Sequence, residues 1–168
     1  MSRAPTIIWL RRDLRRDDNR ALSAGAEAGP VVPVFILDPV IDAQLGAAQR
    51  LRLEASLKAL ARDLEAAGAP LVLRRGPARE TLEALAGETG AGAVRWTRLT
   101  DGPSLERDKA VKAALKARGL DVHSHEGFTL LDPAALRTGA GEPYRVFTPF
   151  WRALASEGPP PPLPAPKL

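Results

Sequence analysis

The chain has 168 residues, 45% hydrophobic and 26% charged, which suits one soluble domain with its own core. Zero cysteines exclude disulfides and thiolate metal sites, and no apolar run is long enough to cross a bilayer. The net charge of +4 and a pI near 10.0 invite a nucleic-acid reading, but 24 bases are interleaved with 20 acids, as in a solvated or ion-paired face.

The opening MSRAPT lacks an apolar signal segment, so a cytoplasmic location is the default expectation. Residues 6–10 (TIIWL) read as a buried strand, followed by the charged turn RRDLRRDDN and a helix beginning near Asn19. Asp17 or Asp18 is expected to cap that helix, and Gly29-Pro30 to stop it. Residues 31–37 form a second strand, with Pro33 expected near its start because proline cannot donate to a sheet ladder.

Asp38-Pro39 marks the way out, and the stretch to Gln49 reads as irregular. A long amphipathic helix follows over 49–67, with Leu53, Leu57, Leu60, Ala61 and Leu64 on one stripe and Gly68 ending it. Residues 71–73 are a short third strand, and Pro77 takes the first position of a helix that buries Leu82, Leu85 and Ala86. Residues 93–97 are the fourth strand. A helix capped by Ser104 then places Val111, Ala114 and Leu115 inward, and 120–124 is the fifth strand. Turns are expected at Asp132-Pro133 and over 138–143. A last helix starts with Thr148 as cap and Pro149 in first position, and a proline-rich tail follows over 159–168. Five strands alternating with helices call for a parallel sheet with right-handed crossovers, and the expected fold is a Rossmann-like α/β sandwich with the strand order 3-2-1-4-5.

In such a sheet, ligands sit beyond the carboxyl ends of the strands. The turn after the first strand has bulky side chains where a dinucleotide binder needs G-x-G-x-x-G, which excludes that use. The strand ends offer apolar walls in Phe35 and Leu37, carboxylates at Asp38 and Asp101, and guanidiniums at Arg12, Arg50 and Arg107. These suit a flat, anionic or aromatic ligand, because arginine both matches oxyanions and stacks on rings. Local capping and ion pairing are the bland alternative for each. His123 and His125 share a strand face without a third ligand at a fixed spacing, so no metal site is assigned. No catalytic residue is assigned either, since no cysteine and no G-x-S-x-G elbow is present. Trp9 and Trp96 read as core, and Trp151 as packing the last helix against the body.

The stretch W-L-R-R-D-L-R-x-x-D-N-x-A-L, with Trp9, Arg11, Asp13, Leu14, Arg15, Asp18, Asn19 and Leu22, resembles the opening of the DNA photolyase and cryptochrome family. A second match, Thr138-Gly139-x-Gly141-x-Pro143-Tyr144-Arg145-Val146-Phe147-Thr148-Pro149-Phe150, resembles the segment with which that family leaves its first domain. The resemblance implies the N-terminal α/β domain over 1–157, with 158–168 a tail or linker. It implies an antenna chromophore here, and a partner helical FAD domain, outside this chain, through which damaged DNA is reached and a pyrimidine dimer is split by light. Family members that use folate carry an Asn-Glu pair ahead of the R-D corresponding to Arg107-Asp108, where this chain has Pro103 and Ser104. Phe35-x-Leu37-Asp38, an arginine within 50–52 and Asp101 resemble the deazaflavin type, so a deazaflavin or flavin antenna is expected rather than folate. In that family RRDLRRDDN is chiefly structural. The domain is expected to be monomeric, membrane-free and not catalytic alone. The alternatives are a cryptochrome-like signalling fragment and an interaction scaffold with no ligand.

Overall fold

The computed structural model describes residues 3–43, 45–131 and 136–168, the side chains of residues 40 and 41 excepted. Its elements in chain order are β1 (Thr6–Leu10), α1 (Arg20–Ala28), β2 (Val31–Leu37), α2 (Pro39–Asp42), α3 (Ala47–Ala66), β3 (Val72–Arg75), α4 (Ala78–Thr89), β4 (Ala93–Thr97), α5 (Gly102–Ala117), β5 (Asp121–His125) and α6 (Phe147–Glu157). The five strands pair in parallel in the order β3-β2-β1-β4-β5, the expected arrangement.

β1 is central, and every one of its residues is buried. Alternation along the strand sends Ile7 and Trp9 to one face and Ile8 and Leu10 to the other. On the first face they join Val34, Ile36, Val94, Trp96 and Val122 under Leu82, Leu85, Val111 and Leu115 of α4 and α5. On the second they pack with Ala21, Leu22, Leu60 and Leu64 of α1 and α3. Each such side chain contributes about 1.5–3 kcal/mol of burial. The result is a three-layer α/β sandwich.

Gly25 lets α1 approach the sheet closely, since a Cβ there would stand 2.4 Å from Cδ1 of Ile8 and 3.3 Å from Cγ1 of Val31. Pro33 lies inside β2, opposite Ile8, rather than at its start. Thr6 N–H donates to the Pro30 carbonyl, which by alternation turns the Pro33 nitrogen towards β3. The β2–β3 register begins only at Val34↔Val72, so the missing donor falls just ahead of the ladder and costs no bond.

Several local expectations are corrected. Asn19, not Asp17 or Asp18, caps α1, its Oδ1 accepting from Leu22 N–H at 3.0 Å. Asp18 instead adopts a left-handed conformation (φ 48°). Asp101 rather than Ser104 caps α5, accepting from Ser104 N–H at 3.1 Å, and Pro103 occupies the first turn. Pro77 is the capping residue of α4 rather than its first helical residue. The stretch after Asp38 contains the helical turn α2, and α3 begins at Ala47. β3 begins one residue and ends two residues later than expected, and β5 lies one residue later throughout. α6 begins at Phe147 after Val146, ahead of Thr148 and Pro149. Trp151 is 51% exposed, so Leu154 rather than the indole anchors that helix.

The turn within 138–143 is present, with Thr138 N–H donating to the Glu142 carbonyl at 2.8 Å. The turn expected at Asp132-Pro133 lies outside the described residues. The proline-rich tail lies back on the domain: Asp18 N–H donates to the Leu163 carbonyl at 2.8 Å, Leu163 N–H to Asp18 Oδ1 at 3.3 Å, and Leu168 packs against the α1–α3 core.

Candidate functional site

The charged turn after β1 is a buried hydrogen-bond network. Arg11 donates to both carboxylate oxygens of Asp108 on α5, at 2.9 and 2.8 Å, and also to the Thr97 carbonyl at the end of β4. Asp13 accepts from Arg11 N–H at 2.9 Å, from the Thr97 hydroxyl at 2.6 Å and from the Asn19 amide at 3.4 Å. Asn19 spans the same loop by donating to the Asp13 and Arg15 carbonyls while capping α1. Arg11, Asp13, Asn19, Thr97 and Asp108 are all buried, so the fixed spacing of R-x-D and D-N ties β1, β4, α1 and α5 together. Burial pulls the Arg11 guanidinium below its usual pKa, and the Asp108 carboxylate opposes that pull. The structural reading of RRDLRRDDN agrees with this network.

Above it opens a cavity of about 320 Å³, at the carboxyl ends of β1 and β2 and under the first turns of α3. It is lined by Trp9, Arg11, Arg12, Phe35, Ile36, Leu45, Gln49, Leu53 and Leu99. Its size and mainly apolar walls, with a few polar groups, suit a small planar ligand. Trp9 touches Trp96 edge to face at 5.6 Å, and the guanidiniums of Arg11 and Arg107 lie 4.5 and 5.2 Å from its ring centroid.

Of the residues singled out in the sequence, Arg12 and Phe35 line this cavity. Asp101 stands at its rim, 3.6 Å from Arg12, and hydrogen bonding from Ser104 holds its carboxyl below the usual range. Asp38 and Arg107 border a second cleft of about 300 Å³ between α4 and α5. There Asp38 accepts from Ala78 N–H at 3.3 Å, and Arg107 pairs with Asp108 at 3.0 Å. Arg50 pairs with Asp42, and Leu37 ends β2 with its carbonyl accepting from Gly76 N–H at 3.2 Å; neither lines either space.

Sequence reasoning missed Trp9, Leu45, Gln49, Leu53 and Leu99 as lining residues. Trp9 read only as core, and it is both core and wall. The available signal for Gln49 and Leu53 was that the first turns of a crossover helix sit over the strand ends. His123 Nε2 lies 2.8 Å from Asp121 Oδ1. Burial, followed by the charge of Arg95, pushes the His125 imidazole down to about 4, so it is neutral at pH 7.

Residues 6–167 match the sequence model of the DNA photolyase family. A deoxyribodipyrimidine photo-lyase of Agrobacterium fabrum is 47% identical over 98% of this chain and 36% of its own length. Cryptochrome-2 of Arabidopsis thaliana is 39% identical over 88% of this chain and 24% of its own. A bacterial class III photolyase from Agrobacterium tumefaciens superposes with a TM-score of 0.90 at 45% identity, over 99% of this chain and 35% of that one. This chain thus spans about a third of the length of these two photolyases. With the fold, the network and the motif in agreement, the chain belongs to the DNA photolyase family and matches its N-terminal α/β domain.

Proposed function

We propose that this domain holds an antenna chromophore of the deazaflavin or flavin type, and serves a photolyase that splits cyclobutane pyrimidine dimers in DNA. The observation that carries the reading is the cavity at the ends of β1 and β2, whose walls are aromatic and aliphatic and whose mouth carries cations. Phe35, Leu53 and Leu99 would cover the faces and edge of a tricyclic ring and keep water from it. The Gln49 amide can donate to and accept from ring carbonyl and imide groups. Arg12, oriented by Asp101 and 65% exposed at its side chain, would meet an anionic tail or a ring oxyanion at the mouth. The bound ring would absorb light and pass its excitation to a flavin in a partner helical domain; the chain's own groups hold and shield it, and no residue here is assigned a catalytic role.

The partner is an FAD-binding helical domain, and DNA is reached through it. The exposed aromatics of α6 support such a contact, with Phe147 and Trp151 stacked at 6.3 Å and 71% and 51% exposed. The 39% identity to a cryptochrome supports a signalling photoreceptor as the second reading, with the same chromophore pocket.

The test is an absorbance and fluorescence titration of the folded chain with an 8-hydroxy-5-deazaflavin, with flavin mononucleotide (FMN) and with reduced folate. Saturable binding of a deazaflavin or flavin, weakened by Arg12→Ala, is the expected result. Binding of folate alone would replace the ligand class, and binding of none would retire the pocket as a chromophore site.

A further inference from the structure

Trp9 poses a problem for any pocket that must keep a ring excited. A light-excited flavin-type ring in contact with an indole takes one electron from it, which leaves the indole a radical cation. Recombination returns the electron and the excitation is lost as heat. The wall of this cavity includes such an indole.

We propose, building on the reading of the cavity as a chromophore pocket, that Arg11 and Arg107 suppress this quenching by holding Trp9 against oxidation. Their guanidiniums lie 4.5 and 5.2 Å from the Trp9 ring centroid. Over a neutral indole each is attracted by the negative face of the ring. Loss of an electron removes that attraction and puts a positive charge beside two permanent ones, in a setting where water screens poorly. Arginine does not escape by deprotonating. Nor can Arg11 swing away, because its side chain is 3% exposed and is tied to Asp108 and to the Thr97 carbonyl.

The neighbouring anions soften the effect without cancelling it. Asp108 divides one carboxylate between the two guanidiniums, at 2.8 and 3.0 Å. Asp13, the other carboxylate near Arg11, is engaged with the Arg11 backbone N–H, the Thr97 hydroxyl and the Asn19 amide. A second feature points the same way. Nε1 of Trp9 is buried and makes no hydrogen bond among the described residues, so an oxidised indole has no acceptor for its proton and cannot settle as a neutral radical. Within the family reading, Arg11 thus does two jobs: its bonds to Asp108 and Thr97 tie the fold, and its packing on Trp9 keeps the wall photochemically quiet.

The experiment uses FMN as the probe and time-resolved fluorescence of the bound ring, which is independent of how much binds. The chain, Arg107→Leu, Arg107→Lys, Trp9→Phe and the double variant Trp9→Phe/Arg107→Leu are each titrated to saturation, with circular dichroism checking the fold. The expected result is a severalfold shorter lifetime in Arg107→Leu, largely restored in Arg107→Lys and in the double variant, because phenylalanine is not oxidised. An unchanged lifetime in Arg107→Leu, or shortening that persists in the double variant, would overturn the inference while leaving the pocket intact. Failure of the unsubstituted chain to take up either FMN or, as the second probe, an 8-hydroxy-5-deazaflavin would retire the flavin-type pocket and this inference together.

Discussion

At the scale of single residues, the turn after β1 shows why charge is buried here. Arg11 bonds both carboxylate oxygens of Asp108 through one terminal nitrogen and the Thr97 carbonyl through the other, so the charge is paired although Nε is left without a partner among the described residues. Removing one partner leaves the other charged and unpaired, so Asp108→Ala should lower stability by about 3–5 kcal/mol in urea unfolding. His125 acts in the opposite sense. Its imidazole is depressed to about 4 by burial, whereas the unfolded group titrates near its ordinary 6.5. Between those values the unfolded chain binds a proton that the folded chain refuses, so this contribution to stability is full above about pH 6.5 and is lost as pH falls towards 4. The expected observation is a His125 ring proton that titrates near 4 by NMR; a midpoint near 6.5 would contradict the burial argument. The ionic character of the loop was legible in RRDLRRDDN, but its caps were not. Asp17, Asp18 and Asn19 can each cap a helix by type, and the choice falls to Asn19 because its amide is already fixed by Asp13 and Arg15. For α5 a usable signal was present: Pro103 belongs in a first turn, which points back to Asp101 as the cap.

At the scale of elements, β1, β2 and β4 were read with their observed bounds because β1 and β2 are mainly apolar runs and β4, despite Arg95, is a short run bounded by Gly92 and Arg98. β3 was placed one residue early at its start and two at its end, and β5 one residue early throughout, since these edge strands carry charged residues such as Arg74, Arg75 and Asp121 that blur their ends. The stripe of α3 was recognised, yet only Leu60 and Leu64 are buried, because the half of the helix bearing Leu53 stands over the cavity instead of the core. Contact between α1 and the sheet depends on Gly25. Gly25→Ala should cost about 1–3 kcal/mol through overpacking against Ile8, measured by the denaturation midpoint, and an unchanged midpoint would mean that α1 shifts without strain. α6 offers a contrast within one helix. Leu154→Ala should cost about 2 kcal/mol, whereas Trp151→Ser should stay within about 0.5 kcal/mol.

At the scale of the whole molecule, the parallel sheet followed from alternation of elements and the handedness of crossovers, and the observed order 3-2-1-4-5 is one of several doubly wound orders that those rules allow. The cavity was only half legible. Phe35 and Arg12 could be placed by the rule that sites lie past the strand ends, but the choice among the many charged strand-end residues depends on which helix turn lies over them, and that distance is set by tertiary packing. The tail shows the same limit: proline content predicts extension, not that Leu163 and Leu168 return to Asp18 and the α1–α3 core. A chain ending at Gly158 should therefore unfold at lower urea, by about 1–2 kcal/mol, and an unchanged midpoint would show that the tail contributes nothing. No helix among the described residues is long and apolar enough to cross a membrane.

The central claim is that the cavity between β1, β2 and α3 receives a flat chromophore. The most direct measurement is calorimetric titration of FMN and of an 8-hydroxy-5-deazaflavin into the chain and into Leu53→Trp, which fills the cavity from α3 and leaves every residue of the Arg11 network unchanged. The account predicts one saturable site in the unsubstituted chain for at least one of the two, weakened about tenfold or more in the variant. Equal binding by both proteins, or none by either while both are folded, would contradict it.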